Sequence, residues 1–442
     1  MQTPIITAKT AIFNTAWLYG EKVISMCLVL IVNIAMARQL GPTYFGTFSM
    51  LLSFVSLFTP LIALGLNAIV TRELCVAKVN EGKVIGTVVF LRLIGVLLGA
   101  LCILLIANNL IDTLEAHYYL IVILVIGNSF SLFNFFEFWF QSRMESKYVS
   151  IIRTVVLIVF SLVKLSVAYT EPVLINFIVV QAVEWLTAGC VLGVFYLFKR
   201  SKIHQLEIDI SYGVGLLRES VWLIFSGVAA VIYLKIDQLM LGIMVDEATV
   251  GIYSIAVKFS EIWYFFPTAL AASFFPKLLK DKDECTNKYE NSLQLLLDGM
   301  FAFSLFIILF TILFSKSFIP FLYGDEYLNS AGLLNIQIWA CCFVFMRAVT
   351  SKWLLAESLV KYSLVSQGAG ACINVAMNYF LIPIWHAEGA AWSTLFSYFF
   401  ASYLSFWFFK ETRPIAKKMT MALTFPVRIK SSLQKLSLLR KS

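Results

Sequence analysis

The sequence predicts an all-α integral membrane bundle: twelve transmembrane helices in two pseudo-symmetric six-helix lobes around a central cavity. Three observations predict it. The residues AVILMFWYC make up 60% of the 442-residue chain and charged residues 14%, against about 45–50% and about 25% in soluble domains. Apolar runs long enough to cross a bilayer recur along the whole chain. The first part of the sequence also returns in the second, shifted by 205 residues. Such a composition excludes a disordered chain, a disulfide scaffold and a cytosolic enzyme.

Taken in order, with Pro, Gly, Asn and charge clusters as breaks, the expected spans are 12–37, 44–70, 84–107, 119–141, 149–169 and 173–198. The second set is 219–245, 250–276, 293–315, 328–352, 362–384 and 389–410. The first could be mistaken for a signal peptide, since Lys9 precedes an apolar stretch and Ala35-Met36-Ala37 resembles a cleavage site. It is too long for one, and it carries Glu21 and Lys22. Short loops leave no room for an extramembrane domain. Of the 34 Lys and Arg, 25 fall at the N-terminus, in one alternate set of loops and in the tail, with Lys352 and Lys410 at span ends counted with the loop or tail they adjoin. The opposite loops hold two, Arg38 and Lys316, and seven lie in spans. That asymmetry places both termini in the cytoplasm. The net charge of +8 therefore marks topology, with no nucleic-acid partner implied.

Under the 205-residue shift, Trp17 falls on Trp222, Gly46 on Gly251, Phe48 on Tyr253, Ser49 on Ser254 and Phe54 on Phe259. Spans 1–2 thus correspond to spans 7–8, and the first is a structural helix. The simple division is a lobe over 1–205, a lobe over 206–410 and a basic tail over 411–442. Six spans per lobe make the repeats parallel, about an axis normal to the membrane, which is transporter architecture. The tail's cations either line anionic headgroups or act as a solvated topology anchor.

The spans carry Lys22, Arg92, Arg153, Lys164, Lys235, Lys258 and Arg347, with Glu21, Glu137, Glu184, Asp237, Glu261 and Asp298. A mid-bilayer charge costs about 2.5–3.5 kcal/mol, so these groups must pair, snorkel or face a wet cavity. Arg92, Arg153 and Arg347 are near enough to span ends to snorkel. Glu137 and Asp298 also read as end residues, and Lys258 with Glu261 as a helix-face pair. Lys22, Lys164, Lys235, Asp237 and Glu184 are deeper. Arg153 and Lys164 are 11 residues apart, about 20° from alignment after three turns. Lys22 and Asn33 share that spacing, so each pair makes a polar stripe suited to lining a cavity.

Eight Cys without C-x-x-C spacing and three His without ligand spacing give metal chemistry no support, and free thiols are expected. Asp281-Lys282-Asp283 matches a sugar-nucleotide D-x-D, but it sits in a short Lys-rich loop and reads as solvated.

The stretch from Ala37-Arg38-Gln39-Leu40-Gly41-Pro42 to Phe45-Gly46 and Phe48-Ser49 resembles the loop after the first helix of bacterial polysaccharide flippases. Lys235 to Gly242, Val250-Gly251-Ile252-Tyr253-Ser254 and Trp263-Tyr264 resemble that family's seventh and eighth helices. The family is the O-antigen and lipid-linked repeat-unit translocases, grouped with lipid II flippases and multidrug and toxin extrusion proteins. The resemblance implies an undecaprenyl-pyrophosphate-linked oligosaccharide as cargo, moved to the outer leaflet of the bacterial inner membrane by alternating access. Membrane lipids and other polysaccharide assembly proteins are the implied partners. Such an anion needs counter-charge and hydrogen bonds. The candidates are Lys22, Arg153, Lys164 and Lys235, with Asn33 and Glu184. Lipid II flippases bind sodium between helices seven, eleven and twelve, where this chain has Asp237, Asn374, Asn378 and Thr394. Those oxygens suit a hard cation, and the two Asn equally suit interhelical hydrogen bonding. No cofactor is expected beyond Na+ or H+ coupling. Two alternatives stand beside this reading. A cation-coupled multidrug exporter would want an acidic cavity, and a membrane glycan polymerase would want a large outer loop.

Overall fold

The computed structural model describes residues 8–76, 80–109, 112–199, 206–425 and 428. The expected lobe boundary at 205 and half of the tail lie outside them. The described residues are helical apart from turns, and no strand occurs among them. In the first half the helices are α1 (Ala8–Leu57), α2 (Thr59–Ala63), α3 (Asn67–Val76), α4 (Glu81–Asn109), α5 (Asp112–Glu115) and α6 (Tyr118–Ser129). A 3-10 turn over Phe130–Phe135 leads into α7 (Phe136–Ser142), α8 (Ser146–Thr170) and α9 (Leu174–Lys199). Next come α10 (Ile210–Met244), α11 (Glu247–Ile262), α12 (Phe265–Glu284) and α13 (Thr286–Tyr323). The last are α14 (Asn329–Gln337), α15 (Ala340–Ala356), α16 (Lys361–Ser402) and α17 (Arg413–Leu423).

Among the described residues, ten stretches are long and apolar enough to cross a membrane. Two of them, Ala16–Ala63 and Lys361–Trp407, run 48 and 47 residues. A straight helix of that length would be about 70 Å long, more than twice a hydrocarbon core. Both are broken near the middle, so the ten stretches make twelve crossings. In α1 the break is at Gly41, with φ 71° and ψ 173°. Glycine tolerates that positive φ, and Pro42 then starts the second helix without losing a hydrogen bond. In α16 the break is at His386, with φ 48°. Large apolar side chains point outward along the spans, from Leu97 and Leu101 on α4 to Phe198, which is 85% exposed. On a membrane protein these are lipid-facing surface.

The chain divides into two compact units, 1–251 and 252–442. In the first, α8 lies along α1, α9 packs on α6 and α8, and α10 packs on α1 and α2. Its core gathers Leu64, Leu66, Val88, Phe135, Trp139 and Tyr196. The Phe136 and Trp139 rings stand 4.1 and 5.0 Å from the Tyr196 ring, which locks α7 onto α9. Repeat-related positions meet here reciprocally. A Cβ on Gly46 would lie 1.7 Å from the Glu247 carbonyl oxygen, and one on Gly251 would lie 2.1 Å from that of Pro42. Both pairs obey the 205-residue shift. Asp209 caps α10 by accepting from the Tyr212 N–H at 2.8 Å. The Lys83 ammonium at 2.5 Å, and then that bond, hold its carboxyl below the usual carboxylate range.

In the second unit, α13 packs against α12, α14, α15 and α17. Arg347, near enough to a span end to snorkel, is an internal staple. It donates to the Ser366 hydroxyl at 2.8 Å and the Ala401 carbonyl at 3.0 Å, and it lies over the Phe406 ring. The start of the expected basic tail is folded protein: α17 buries Ile415, Ala416, Met419 and Ala422. Arg428 reaches the buried Asp298 at 3.2 Å.

Candidate functional site

The charged groups of the first unit gather on α8 and its neighbours. The aromatic face of α7 is committed to the core through Phe136, Trp139 and Phe140. Its other face carries Glu137 and Gln141, one turn apart. Arg153 of α8 grips Glu137 with both terminal guanidinium nitrogens, at 2.5 and 3.2 Å. Gln141 donates to the same carboxylate at 2.8 Å. Three turns along α8, Lys164 Nζ donates to Glu184 Oε2 at 2.5 Å and to Gln181 Oε1 at 2.8 Å, both on α9. The Lys164 and Glu184 side chains are 10% and 14% exposed. Arg153 and Lys164 are each clamped by a carboxylate from a neighbouring helix, and a Gln side chain joins each cluster, Gln141 on the carboxylate of Glu137 and Gln181 on the ammonium of Lys164. Glu137 and Gln181 carry roles that sequence reasoning missed. For Glu137 a signal was available: it begins a Glu-x-x-x-Gln pair on one helix face, in a chain poor in charge.

On α1, Lys22 is exposed. Its neighbour Glu21 is the group that turns toward α8. It lines a cavity of about 340 Å³ with Trp17, Gly20, Ile24, Ile151 and Thr154, within electrostatic reach of Arg153 and Glu137. Asn33 is buried and donates to the Val29 carbonyl of its own helix at 2.7 Å. Asp237 on α10 is 4% exposed, whereas Lys235 is half-buried. Gln238 beside it is buried and accepts from the Ser53 hydroxyl. Arg92 is buried on α4, where it donates to the Asn67 side chain.

The remaining ion candidates belong to the second unit. Asn374 and Asn378 are fully buried, and Asn378 donates to Asn374 Oδ1 at 3.4 Å. The Asn374 amide nitrogen has no partner among the described residues. The Thr394 hydroxyl lies 3.1 Å from that of Tyr253 and bonds the Ala390 carbonyl at 2.9 Å. In the Asp281-Lys282-Asp283 stretch, Asp281 is buried and accepts from Ser292 at 2.6 Å, so that carboxylate is structural rather than solvated.

A family described as "Polysaccharide biosynthesis protein" matches residues 12–280. No curated protein matches the chain. Among solved structures, the lipid II flippase MurJ in an inward closed conformation superposes with a TM-score of 0.71 at 15% identity, over 94% of this chain and 92% of that one. An inward-facing multidrug resistance MATE family transporter of the MOP superfamily gives 0.69 at 13% identity, over 90% and 96%. The Vibrio cholerae MATE transporter VcmN gives 0.61 at 14% identity, over 93% and 96%. At these identities the likeness is one of fold.

Proposed function

This chain belongs to the polysaccharide biosynthesis protein family, and from that premise we propose that it is a flippase. Its cargo is an undecaprenyl-pyrophosphate-linked oligosaccharide repeat unit, moved from the cytoplasmic to the periplasmic leaflet for O-antigen or a related surface polysaccharide. The observation that carries this reading is the pair of cations, Arg153 and Lys164, held within the membrane on one helix. Evolution toward stability alone favours apolar residues over such pairs, whereas a pyrophosphate needs counter-charge wherever it crosses hydrocarbon. Lys22 and Lys235 add cationic field, and Asn33 and Glu184 offer hydrogen bonds to sugar hydroxyls. The lobes 1–205 and 206–410 are the moving parts of alternating access. Asp237, Asn374, Asn378 and Thr394 are the coupling-ion candidates, with sodium the better match to their oxygens. The protein sits in the bacterial inner membrane with both termini cytoplasmic, beside other polysaccharide assembly proteins.

The test is restoration of surface polysaccharide in a strain lacking its own repeat-unit flippase. Export at normal membrane abundance supports the reading. Failure to export any of several repeat units, together with raised resistance to cationic drugs, would favour a multidrug exporter instead. The carboxylates on both cations are the observation on that side.

A further inference from the structure

Lys164 is not a bare cation awaiting an anion. Its ammonium has three donors, and Glu184 and Gln181 take two of them at 2.5 and 2.8 Å. Arg153 is held in the same way by Glu137. A site built only to attract negative charge would leave both cations open. We propose, resting on the flippase reading, that Glu184 is a resident counter-anion which the substrate's pyrophosphate replaces on Lys164, and that this exchange excludes ordinary phospholipids.

Specificity is set by the gap between competing partners, not by the attraction of either. A membrane presents anionic phospholipids in great excess over any lipid-linked sugar. A phosphodiester headgroup carries one negative charge, as does Glu184. Swapping one for the other gains no Coulomb energy and pays again for desolvation. A pyrophosphate diester brings two charges and more acceptor oxygens, so it can displace the carboxylate where a phospholipid cannot. Gln181 is neutral and remains to complete the lysine's shell during the exchange. The geometry suits replacement. Lys164 has a flexible four-carbon stem, and both side chains retain a sliver of exposure, 10% and 14%.

The test uses full-length protein in phosphatidylcholine vesicles with a tail-labelled fluorescent phosphatidylglycerol. Transfer between leaflets is read by dithionite quenching. Wild type should move this lipid slowly. Glu184→Gln should move it about tenfold faster, Glu184→Asp should fall between, and Lys164→Gln/Glu184→Gln should return to the wild-type rate. No acceleration in either single variant, with both purifying as folded monodisperse protein, would overturn the exchange. Equal acceleration in the double variant would overturn it too, because the leak would not pass through Lys164. A separate arm measures thermal stabilisation by undecaprenyl pyrophosphate. Its absence in wild type would overturn the flippase reading itself, whatever the phosphatidylglycerol result.

Discussion

Lys164 and Glu184 show how a charge is retained inside a membrane span. Each satisfies the other at 2.5 Å, so removing one strands its partner in a site nearly closed to water. Lys164→Ala is expected to cost up to about 3 kcal/mol of stability, and the Lys164→Ala/Glu184→Ala pair much less than the sum of the singles. A double-mutant cycle on detergent-solubilised protein checks this. Lys22 is exposed, so Lys22→Ala should leave stability near wild type while lowering polysaccharide export, and Lys22→Arg should retain part of it. Full export by Lys22→Ala and Lys164→Ala at normal abundance would refute the cationic site. Outside the spans, Asp209 has a depressed carboxyl because of Lys83 and the Tyr212 N–H. Its contribution is present above the ordinary carboxylate range near pH 4 and is lost as pH falls through the lower folded value. Asp209→Asn should therefore flatten the acid limb of the stability profile.

The helix breaks and crossings are the features to test at the level of elements. Gly41 turns α1 at φ 71°, where a side chain is strained, so Gly41→Ala should destabilise by about 1 kcal/mol or more. His386 occupies a positive φ of 48° with a side chain, and His386→Gly should be neutral or stabilising. The Gly46 and Gly251 crossing is tighter. Backbone carbonyls stand 1.7 and 2.1 Å from where a Cβ would go, and backbone cannot step aside as a side chain can. Gly46→Ala and Gly251→Ala should each cost at least about 1–3 kcal/mol by overpacking. Gly215→Ala meets nothing within 4 Å and is the control. Thermal melts of the four glycine variants would decide. The docking of α17 has a similar handle: Asp298→Asn weakens the contact to Arg428 and should make the C-terminal segment more sensitive to protease.

Topology and ion coupling belong to the whole molecule. If both termini are cytoplasmic, cysteines placed near residues 205, 285 and 435 should resist an impermeant thiol reagent in intact cells, while one near 114 should be labelled. All eight native cysteines are free, so they must be removed first. The opposite pattern would reverse the direction of flipping. If the oxygens of Asp237, Asn374, Asn378 and Thr394 hold sodium, sodium should raise the melting temperature of wild type and not of Asp237→Asn. No sodium effect in wild type would sink that site and favour protons.

Class and span number were legible from residues alone because the bilayer imposes a length and a polarity on every crossing. The twelve expected spans match the ten apolar stretches once Gly41 and His386 divide the two longest. Gly41-Pro42 announced its break, since only such a pair turns and restarts a helix so cheaply. His386 itself gave no signal, and its break was legible only from its neighbours Pro383, Glu388 and Gly389. The repeat also survives folding as a reciprocal contact, with Gly46 on Glu247 and Gly251 on Pro42. Pairing was another matter. Helical periodicity aligned Arg153 with Lys164, yet it could not show that Glu137 and Glu184 would meet them, because those carboxylates come from other helices. Nor could it tell that Arg347 staples its own unit rather than reaching for water, or that α17 folds against α13. Composition and spacing determine which groups enter the membrane. Which of them neutralise one another depends on helix packing, because an ion pair forms only where two separate backbones bring opposite charges within a few ångströms.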